Sequence, residues 1–371
     1  MKKISLSRPN ITTEDLNIIV KSLRSGWLTH GPANKEFEEK FCKLVGSKYA
    51  ISMNSCTSAL ECSLKVIKKK GEVIIPSWTW VSTANAVLNT GNVPVFADVE
   101  INSRNLTSEY IEKKITKKTI AVIVVHYGGL PCQMEKILQL TKKHKISLIE
   151  DSAETLGATC NKKFTGSFGT GCFSFFPTKN ITTTEGGMFT TNEKKIYEEV
   201  KKIIAHGIDK KKKKNFWHRE SSLPGHNFRL PNHLAALGLN QLKRLNLFNK
   251  RRRLIASKYD NFLKSYDGFF QIQEIDKNLT HSYQMYSFMA PSKYRNNLLH
   301  FLKSKKIEAS VHFDPPLHHQ LYLKKFSNKK LKNTENLSKS IITLPMYPDL
   351  KNKEVNKVIS TIKEWYKKNA S

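Results

Sequence analysis

Acidic residues are scarce in this sequence: Asp and Glu number 31 against 62 Lys and Arg, which gives a formal charge of +31. Long apolar runs are also missing, because the longest clear one, residues 120–125, is far shorter than the roughly 20 residues of a membrane-spanning helix. Residues 1–15 are interrupted by charges and lack the apolar stretch of a secretory signal. The sequence therefore predicts a cytoplasmic protein without a membrane span.

Cysteine is sparse, and its six residues form no CxxC pair, so we expect reduced thiols rather than a disulfide framework. His312, His318 and His319 lie close together in sequence, but no cysteine or carboxylate at ligand spacing accompanies them. No metal site is expected. Residues 169–174 lack the last glycine of the dinucleotide fingerprint, which argues against a nicotinamide cofactor.

The excess of positive charge raises the alternative of a nucleic-acid-binding protein. Lys210–Lys214 is an unbroken lysine run followed by Phe216 and Trp217, and basic clusters beside aromatic residues can bind phosphodiesters. Lysines are nevertheless spread along the whole chain, which is more typical of a solvated surface. Such a surface would also steer an anionic small-molecule substrate. No nucleic-acid partner is expected on this interpretation, but the alternative stays open.

Lys179 lies in residues 174–187, where an apolar run passes into a polar loop closed by two glycines. A lysine near a packed core loses its proton more easily than a solvated one, because burial disfavours the ammonium form. Lys179 is therefore a candidate for forming a Schiff base with a carbonyl. The alternative is an ordinary surface lysine, in a chain that has many.

Asp151 follows a short apolar segment, residues 146–149, which is typical of a buried strand. Ligands of α/β proteins bind at the carboxyl ends of the strands, so this carboxylate is placed as a site residue would be. It could lie against the ring nitrogen of a pyridoxal cofactor and keep that nitrogen protonated. It could equally cap a following helix.

Three small hydroxyl residues, Ser55, Thr57 and Ser58, lie at the start of a predicted helix with Leu60, Leu64 and Ile67 on one face. The free amides and the positive dipole end of a helix N-terminus attract anions, and a phosphate would fit there. An ordinary Ser/Thr helix cap is the alternative.

Taken in order, several segments resemble the pyridoxal phosphate-dependent sugar-nucleotide aminotransferases of the DegT/StrS family. Besides those already described, they are residues 6–9, 25–32, 76–83, 125–129, 206–207, 225–230, 311–313 and 344–348. The resemblance implies an α/β chain of fold type I, the aspartate aminotransferase-like fold. We expect a large cofactor-binding domain with a mostly parallel sheet over residues 1–245 and a smaller α+β domain over residues 246–371.

The resemblance also implies roles for individual residues. Lys179 matches the catalytic lysine that binds pyridoxal 5'-phosphate covalently and moves protons. Asp151 matches the partner of the ring nitrogen, Trp80 the aromatic residue that stacks on the ring, and Glu154 a further cofactor contact. The expected phosphate contacts are Cys56, Thr57 and Ser174 within one subunit, and Asn227 or Arg229, with Asn227 favoured, from its neighbour in a homodimer. The expected substrate contacts are Trp27, Thr29, His312 and His318.

The combination of Glu154 and Phe176 is similar to perosamine and viosamine synthases. It implies that L-glutamate gives its amino group to a nucleotide-linked 4-keto-6-deoxyhexose, in the biosynthesis of a surface polysaccharide such as a lipopolysaccharide O-antigen. A related branch of dehydratases carries histidine in place of the lysine. Lys179 argues against that branch, although a dehydratase remains an alternative.

Overall fold

A seven-stranded mixed sheet forms the centre of the computed structural model, which describes residues 3–209, 215–266, 268–327 and 329–370. The helices are α1 (Thr13–Arg24), α2 (Pro32–Val45), α3 (Cys56–Lys65), α4 (Val81–Asn89), α5 (Ser108–Glu112), α6 (Met134–His144), α7 (Lys194–Ile203), α8 (Asn232–Lys243), α9 (Leu245–Lys264), α10 (Ser292–Ser304), α11 (Lys332–Ser340) and α12 (Asn352–Asn369). The strands are β1 (Tyr49–Met53), β2 (Glu72–Pro76), β3 (Val93–Ala97), β4 (Thr119–Val125), β5 (Ser147–Asp151), β6 (Thr159–Cys160), β7 (Lys163–Phe164), β8 (Thr170–Ser174), β9 (Gly187–Thr191), β10 (Gln271–Ile272), β11 (Leu279–Thr280), β12 (Tyr286–Met289) and β13 (Ile341–Leu344).

The large sheet has the strand order β1-β9-β8-β5-β4-β2-β3, in which β8, β5, β4, β2 and β3 run parallel and β9 is antiparallel to both its neighbours. Val73–Ile75 in β2 and Ala121–Val124 in β4 are fully buried. Because helices cover both faces of a parallel sheet, both sides of these strands are buried, and their sequences are continuous apolar runs. The predicted α/β architecture with a mostly parallel sheet is confirmed.

One predicted strand extends too far along the chain. The apolar residues 173–176 predict a strand through Phe176, but β8 ends at Ser174. The backbone amide of Phe175 donates to the carbonyl of Gly186, and the carbonyl of Phe175 accepts from the amide of Thr183. The chain therefore closes a loop on itself at this point, and this loop carries Lys179.

The second half of the chain builds a three-stranded antiparallel sheet, β10-β12-β13, on which α9, α10 and α12 pack. Ile255, Phe288 and Trp365 lie in its core. Ile4 from the start of the chain joins this core, because its strand-like segment bridges to Ile307. In the opposite direction, three leucines of the second half pack into the core of the large sheet: Leu317, Leu323 and Leu331. A domain boundary at residue 245 stays a prediction.

Three chain segments meet at one edge of the large sheet. Asp151 ends β5 and Ser174 ends β8, while α3 begins at Cys56 just after β1. Carboxyl ends of parallel strands are where ligands of α/β proteins bind. In the part of the chain that the structure describes, no helix is both long and apolar enough to cross a bilayer.

Candidate active site

A cavity of about 420 Å³ opens at this edge of the sheet, where the two halves of the chain meet. Its wall contains most of the residues that the sequence assigns to the cofactor and one of those assigned to the substrate: Cys56, Thr57, Trp80, Asp151, Glu154, Ser174, Lys179 and His312. The N-terminal residues Leu6 and Ser7 complete the wall. Residues that are far apart in the sequence thus line a single cavity.

Lys179 presents its amine to the cavity next to a carboxylate. Its Nζ lies 3.2 Å from Oε1 of Glu154, and the lysine side chain is only 16% exposed. Oε2 of Glu154 accepts a hydrogen bond of 2.8 Å from the amide of Gly128, which fixes the carboxylate. The amide of Lys179 donates to the carbonyl of Phe176, which holds the loop in a tight turn. The amine therefore has a defined position instead of a mobile surface conformation.

Asp151 is a buried carboxylate whose oxygens face the cavity and accept hydrogen bonds from neutral donors only. Oδ2 accepts a hydrogen bond of 2.9 Å from the hydroxyl of Thr83, and Oδ1 accepts one of 3.2 Å from the amide of Ala153. Burial raises the pKa of Asp151, and the Thr83 hydroxyl opposes that shift. No ion pair reaches this carboxylate from any residue that the structure describes. A protonated pyridine nitrogen would supply the missing cation, so the residue fits pyridoxal phosphate.

The N-terminus of α3 offers an anion site in the same cavity. Ser55 caps the helix through its side chain, which accepts from the amide of Ser58 at 3.1 Å. The amides of Cys56 and Thr57 belong to the first turn and so have no partner within the helix. Ser174 lies across from them at the end of β8. Amides, hydroxyls and the helix dipole together suit a phosphate group.

Cys56 is a neutral thiol at this site. Its Sγ lies 3.9 Å from Oδ1 of Asp151, and burial raises the pKa of the thiol well above its ordinary value. The thiol therefore adds no negative charge that would repel a phosphate. This arrangement agrees with a cofactor contact through the backbone of Cys56.

Aromatic residues form the mouth of the cavity. Trp80 is 61% exposed, and its ring centroid lies 6.1 Å from that of Phe313. Phe176 is 44% exposed on the cavity wall. Nδ1 of His312 pairs with the hydroxyl of Thr343 at 3.0 Å, and burial lowers the pKa of this imidazole. His312 is therefore a neutral polar group in an otherwise aromatic region.

The remaining assigned residues lie outside the wall of this cavity. Nε of Arg229 donates to Oδ1 of Asn227 at 3.1 Å, and both residues belong to a strand-like segment on the surface. Trp27 and Thr29 are exposed. His318 is buried and pairs through Nδ1 with the hydroxyl of Ser77 at 2.6 Å. The functional assignments of these five residues stay predictions, as does that of Lys210–Lys214, which lies outside the described residues.

Three residues that the sequence did not suggest support the site. Thr83 holds Asp151, as described above. Gln284 lines the cavity and donates from Nε2 to the carbonyl of Thr178 at 2.9 Å. Arg252, which is 2% exposed, donates to the carbonyls of Gln284 and Lys179 at 3.0 and 3.5 Å. Thr83 could have been found, since it lies one helical turn after Trp80, but no local pattern indicates the other two.

The class of protein follows from a match to a protein family. Residues 9–363 match the model of the DegT/DnrJ/EryC1/StrS aminotransferase family, so the chain belongs to that family. It is a sugar aminotransferase of fold type I whose cofactor is pyridoxal phosphate. The cavity described above brings together most of the residues that the sequence assigns to the cofactor of such an enzyme.

Individual relatives cover nearly the entire chain. The spore coat polysaccharide biosynthesis protein SpsC of Bacillus subtilis is 35% identical, over 96% of both chains. PseC of Helicobacter pylori, an aminotransferase in the biosynthesis of pseudaminic acid, is 32% identical and superposes with a TM-score of 0.93 over 99% of this chain and 100% of its own. A Streptococcus pneumoniae protein assigned as a sugar aminotransferase, solved in its PLP form, is 26% identical with a TM-score of 0.92 over 100% of both chains.

Proposed function

We propose that the enzyme transfers the amino group of L-glutamate to the fourth carbon of a nucleotide-linked 4-keto-6-deoxyhexose. The product would be an amino sugar of the perosamine or viosamine type. The observation that carries the proposal is that Glu154 contacts Lys179 while Phe176 lies on the wall of the same cavity. An apolar ring at this place suits the methyl group of a 6-deoxy sugar, which has no hydroxyl to satisfy there.

The product would enter a surface polysaccharide. Support comes from two relatives, since SpsC is described as a spore coat polysaccharide biosynthesis protein and PseC acts in the biosynthesis of pseudaminic acid. Lipopolysaccharide O-antigen is one such polysaccharide. The positive charge of the chain, +31, would favour encounter with an anionic nucleotide sugar. A cytoplasmic location stays a prediction.

Each residue of the cavity would have its own role in the reaction. Bound pyridoxal phosphate supplies an electron sink that stabilises negative charge on the substrate carbon. Asp151 keeps the ring nitrogen protonated, and the N-terminus of α3 holds the phosphate. Lys179 takes a proton at one carbon and returns it at another, which is general acid-base catalysis by an amine. Glu154 keeps Nζ of Lys179 pointed into the cavity.

The enzyme would act as a homodimer in which each subunit completes the phosphate site of the other. Asn227 and Arg229 lie outside the cavity of their own subunit, on a surface-exposed segment. Arg229 contacts Asn227 and His206, and among the described residues no carboxylate lies within ion-pair distance of it. Its charge is therefore available for a phosphate. Trp27 and Thr29 are also exposed, and they would contact the substrate from the same side as Asn227 and Arg229.

The test is turnover with a panel of substrates. The purified enzyme, loaded with pyridoxal phosphate, is incubated with L-glutamate and either 4-keto or 3-keto nucleotide sugars, and release of 2-oxoglutarate is followed. We expect release with 4-keto-6-deoxy sugars. Faster release with 3-keto sugars would contradict the assigned position, and formation of pyruvate from L-alanine without formation of 2-oxoglutarate from L-glutamate would contradict the assigned donor. A deoxygenated product without a new amine would indicate a dehydratase.

The role of Phe176 is tested by exchanging its ring. In Phe176→His, the apolar surface becomes polar, so the preference for a 6-deoxy sugar over its 6-hydroxy analogue should fall by about tenfold, the usual value of one methyl-sized contact. Phe216→His, which changes an 83% exposed phenylalanine, is the matched control. An unchanged preference in Phe176→His would remove the argument for a 6-deoxy sugar.

A further inference from the structure

Outside the active site, two imidazoles and a carboxylate from the second half of the chain converge near the end of β2. His318 and His319 belong to a 3-10 turn, Leu317–His319, and Glu335 belongs to the first turn of α11. Nε2 of His318 lies 3.5 Å from Oε1 of Glu335, and Nε2 of His319 lies 4.0 Å from the same oxygen. The sequence did not indicate this group, because the carboxylate comes from a helix that follows an intervening loop.

His318 shows why the group is unusual. The residue is 4% exposed, and its Nδ1 is paired with the hydroxyl of Ser77 at 2.6 Å. That hydroxyl also accepts a hydrogen bond from the backbone amide of His318. Nε2 is buried, and its 3.5 Å contact with Oε1 of Glu335 does not have the geometry of a hydrogen bond, so the atom makes none with the described residues. A buried polar atom without a partner is rare and costly, and it indicates an ion or a donor at that place.

We propose that these three side chains bind a divalent transition metal ion of the zinc class, through Nε2 of His318, Nε2 of His319 and Oε1 of Glu335. Nitrogen and oxygen ligands about 2.0–2.2 Å from a tetrahedral zinc ion are about 3.3–3.6 Å from each other. The separation of 3.5 Å fits this value, and a small rotation of the exposed ring of His319 brings the 4.0 Å separation into range. Water would take the fourth position.

The surroundings of the three ligands suit this assignment. Ser77 accepts from Nδ1–H and so directs the lone pair of Nε2 toward the ion, as outer partners of metal-bound histidines commonly do. Oε1 of Glu335 also accepts from the amide of Leu331 at 3.2 Å, which orients the carboxylate and leaves a second lone pair. His319 is exposed at 49% of its side chain, so an ion can enter from solvent.

The site would have a structural role. The amide of Leu317 donates to the carbonyl of Ser77 at the end of β2, and Thr79 and Trp80 follow this point on the cavity wall. His312 and Phe313, on the same wall, lie five and four residues before Leu317, where the 3-10 turn begins. An ion that joins this turn to α11 would therefore stiffen the cavity wall without taking part in the reaction. The site does not depend on the identity of the sugar, and it gives His318 a role other than the predicted substrate contact.

The test is zinc binding by the full chain loaded with pyridoxal phosphate. After removal of metals with a chelator, the protein is titrated with zinc chloride against a chromophoric zinc indicator. The wild type should bind one equivalent. His319→Ala and Glu335→Gln should each weaken binding by about tenfold or more, as loss of an interaction at a metal site does. Glu335→Gln keeps an oxygen for the amide of Leu331, and His144→Ala, at an exposed histidine of α6, should bind zinc as the wild type does.

The melting temperature is a second readout. Zinc should raise the melting temperature of the wild type and of His144→Ala but leave that of His319→Ala unchanged, because only binding to the folded state stabilises it. The proposal is overturned if the wild type retains no zinc, or if His319→Ala binds it with wild-type affinity.

Discussion

Nζ of Lys179 lies 3.2 Å from Oε1 of Glu154, and the two side chains meet in a cavity that also contains a buried carboxylate, Asp151. The lysine comes from a loop after β8, and the two acidic residues come from the end of β5 and just beyond it. One basic and two acidic groups are thus held at a single sheet edge. Each group has a different partner, and so each can be tested separately.

Changing Lys179 should stop the reaction. In Lys179→Arg the guanidinium stays charged and cannot accept a proton, so kcat should fall by at least about 10²–10⁴, the usual value of general acid-base catalysis. Borohydride should fix pyridoxal phosphate to Lys179 of the wild type, located by peptide mass spectrometry, but not to the variant. Lys142→Arg, at an exposed position of α6, should behave as the wild type. Normal turnover by Lys179→Arg would refute the assigned role.

Changing Asp151 should separate activity from stability. Burial raises the pKa of Asp151. In the cofactor-free protein, the folded state therefore binds this proton more tightly than the unfolded chain, and that contribution to stability is lost as the pH rises through the folded pKa. Asp151→Asn carries no charge at any pH. Without cofactor, its melting temperature should exceed that of the wild type by a margin that grows as the pH rises.

The same variant should lose activity, because a carboxamide cannot keep the ring nitrogen protonated. Thermal unfolding at several pH values, with and without pyridoxal phosphate, measures the first effect, and glutamate-dependent turnover measures the second. Asp349→Asn, at an exposed carboxylate paired with Asn10, is a control for removal of a negative charge. A stability difference between Asp151→Asn and the wild type that does not change with pH would contradict the assigned buried carboxylate.

Mixed dimers should reveal whether Asn227 and Arg229 act across the subunit interface. A chain carrying Lys179→Ala is mixed with one carrying Asn227→Ala and Arg229→Ala, each inactive alone. If the contact crosses the interface, every mixed dimer contains one intact site, and random pairing restores about a quarter of the wild-type activity. No recovery, in a sample in which mixed dimers are shown to form, would place the contact within one subunit. The two single variants then show which side chain matters.

Gly187 should be intolerant of a side chain. A Cβ on this residue would lie 2.4 Å from the backbone carbon of Ser55 and 2.5 Å from the amide nitrogen of Cys56, at the start of α3. In Gly187→Ala the added methyl group therefore displaces the N-terminus of α3, which we assign to phosphate binding. Such overpacking lowers the free energy of unfolding by about 1–3 kcal/mol. The affinity for pyridoxal phosphate, measured by its absorbance, should fall. An unchanged affinity in a folded variant would argue against phosphate binding by this helix end.

Local sequence predicted the parts of the site that follow a strand. Lys179 and Asp151 could be found because each comes after a buried apolar run, and the polar residue that ends such a run lies at the ligand-binding edge. Arg252 and Gln284 could not, since each acts on a segment that only the tertiary fold brings near. The end of β8 was also missed, because Phe175 is buried like a strand residue but pairs with Gly186 inside the loop. Burial by itself does not distinguish these two conformations.

The exchange of core residues between the two halves has a consequence for how the enzyme folds. Leu317, Leu323 and Leu331 fill the large-sheet core from the far half of the chain, and Ile4 fills the other core from the near end. A fragment ending at residue 245 would expose to water the apolar surface of the large-sheet core that these leucines cover. Its Ile4 would also lose the core in which it is buried. Residues 1–245 therefore lack part of their own core, and the loop that carries Lys179 gains its full packing only when both halves of the chain have folded together.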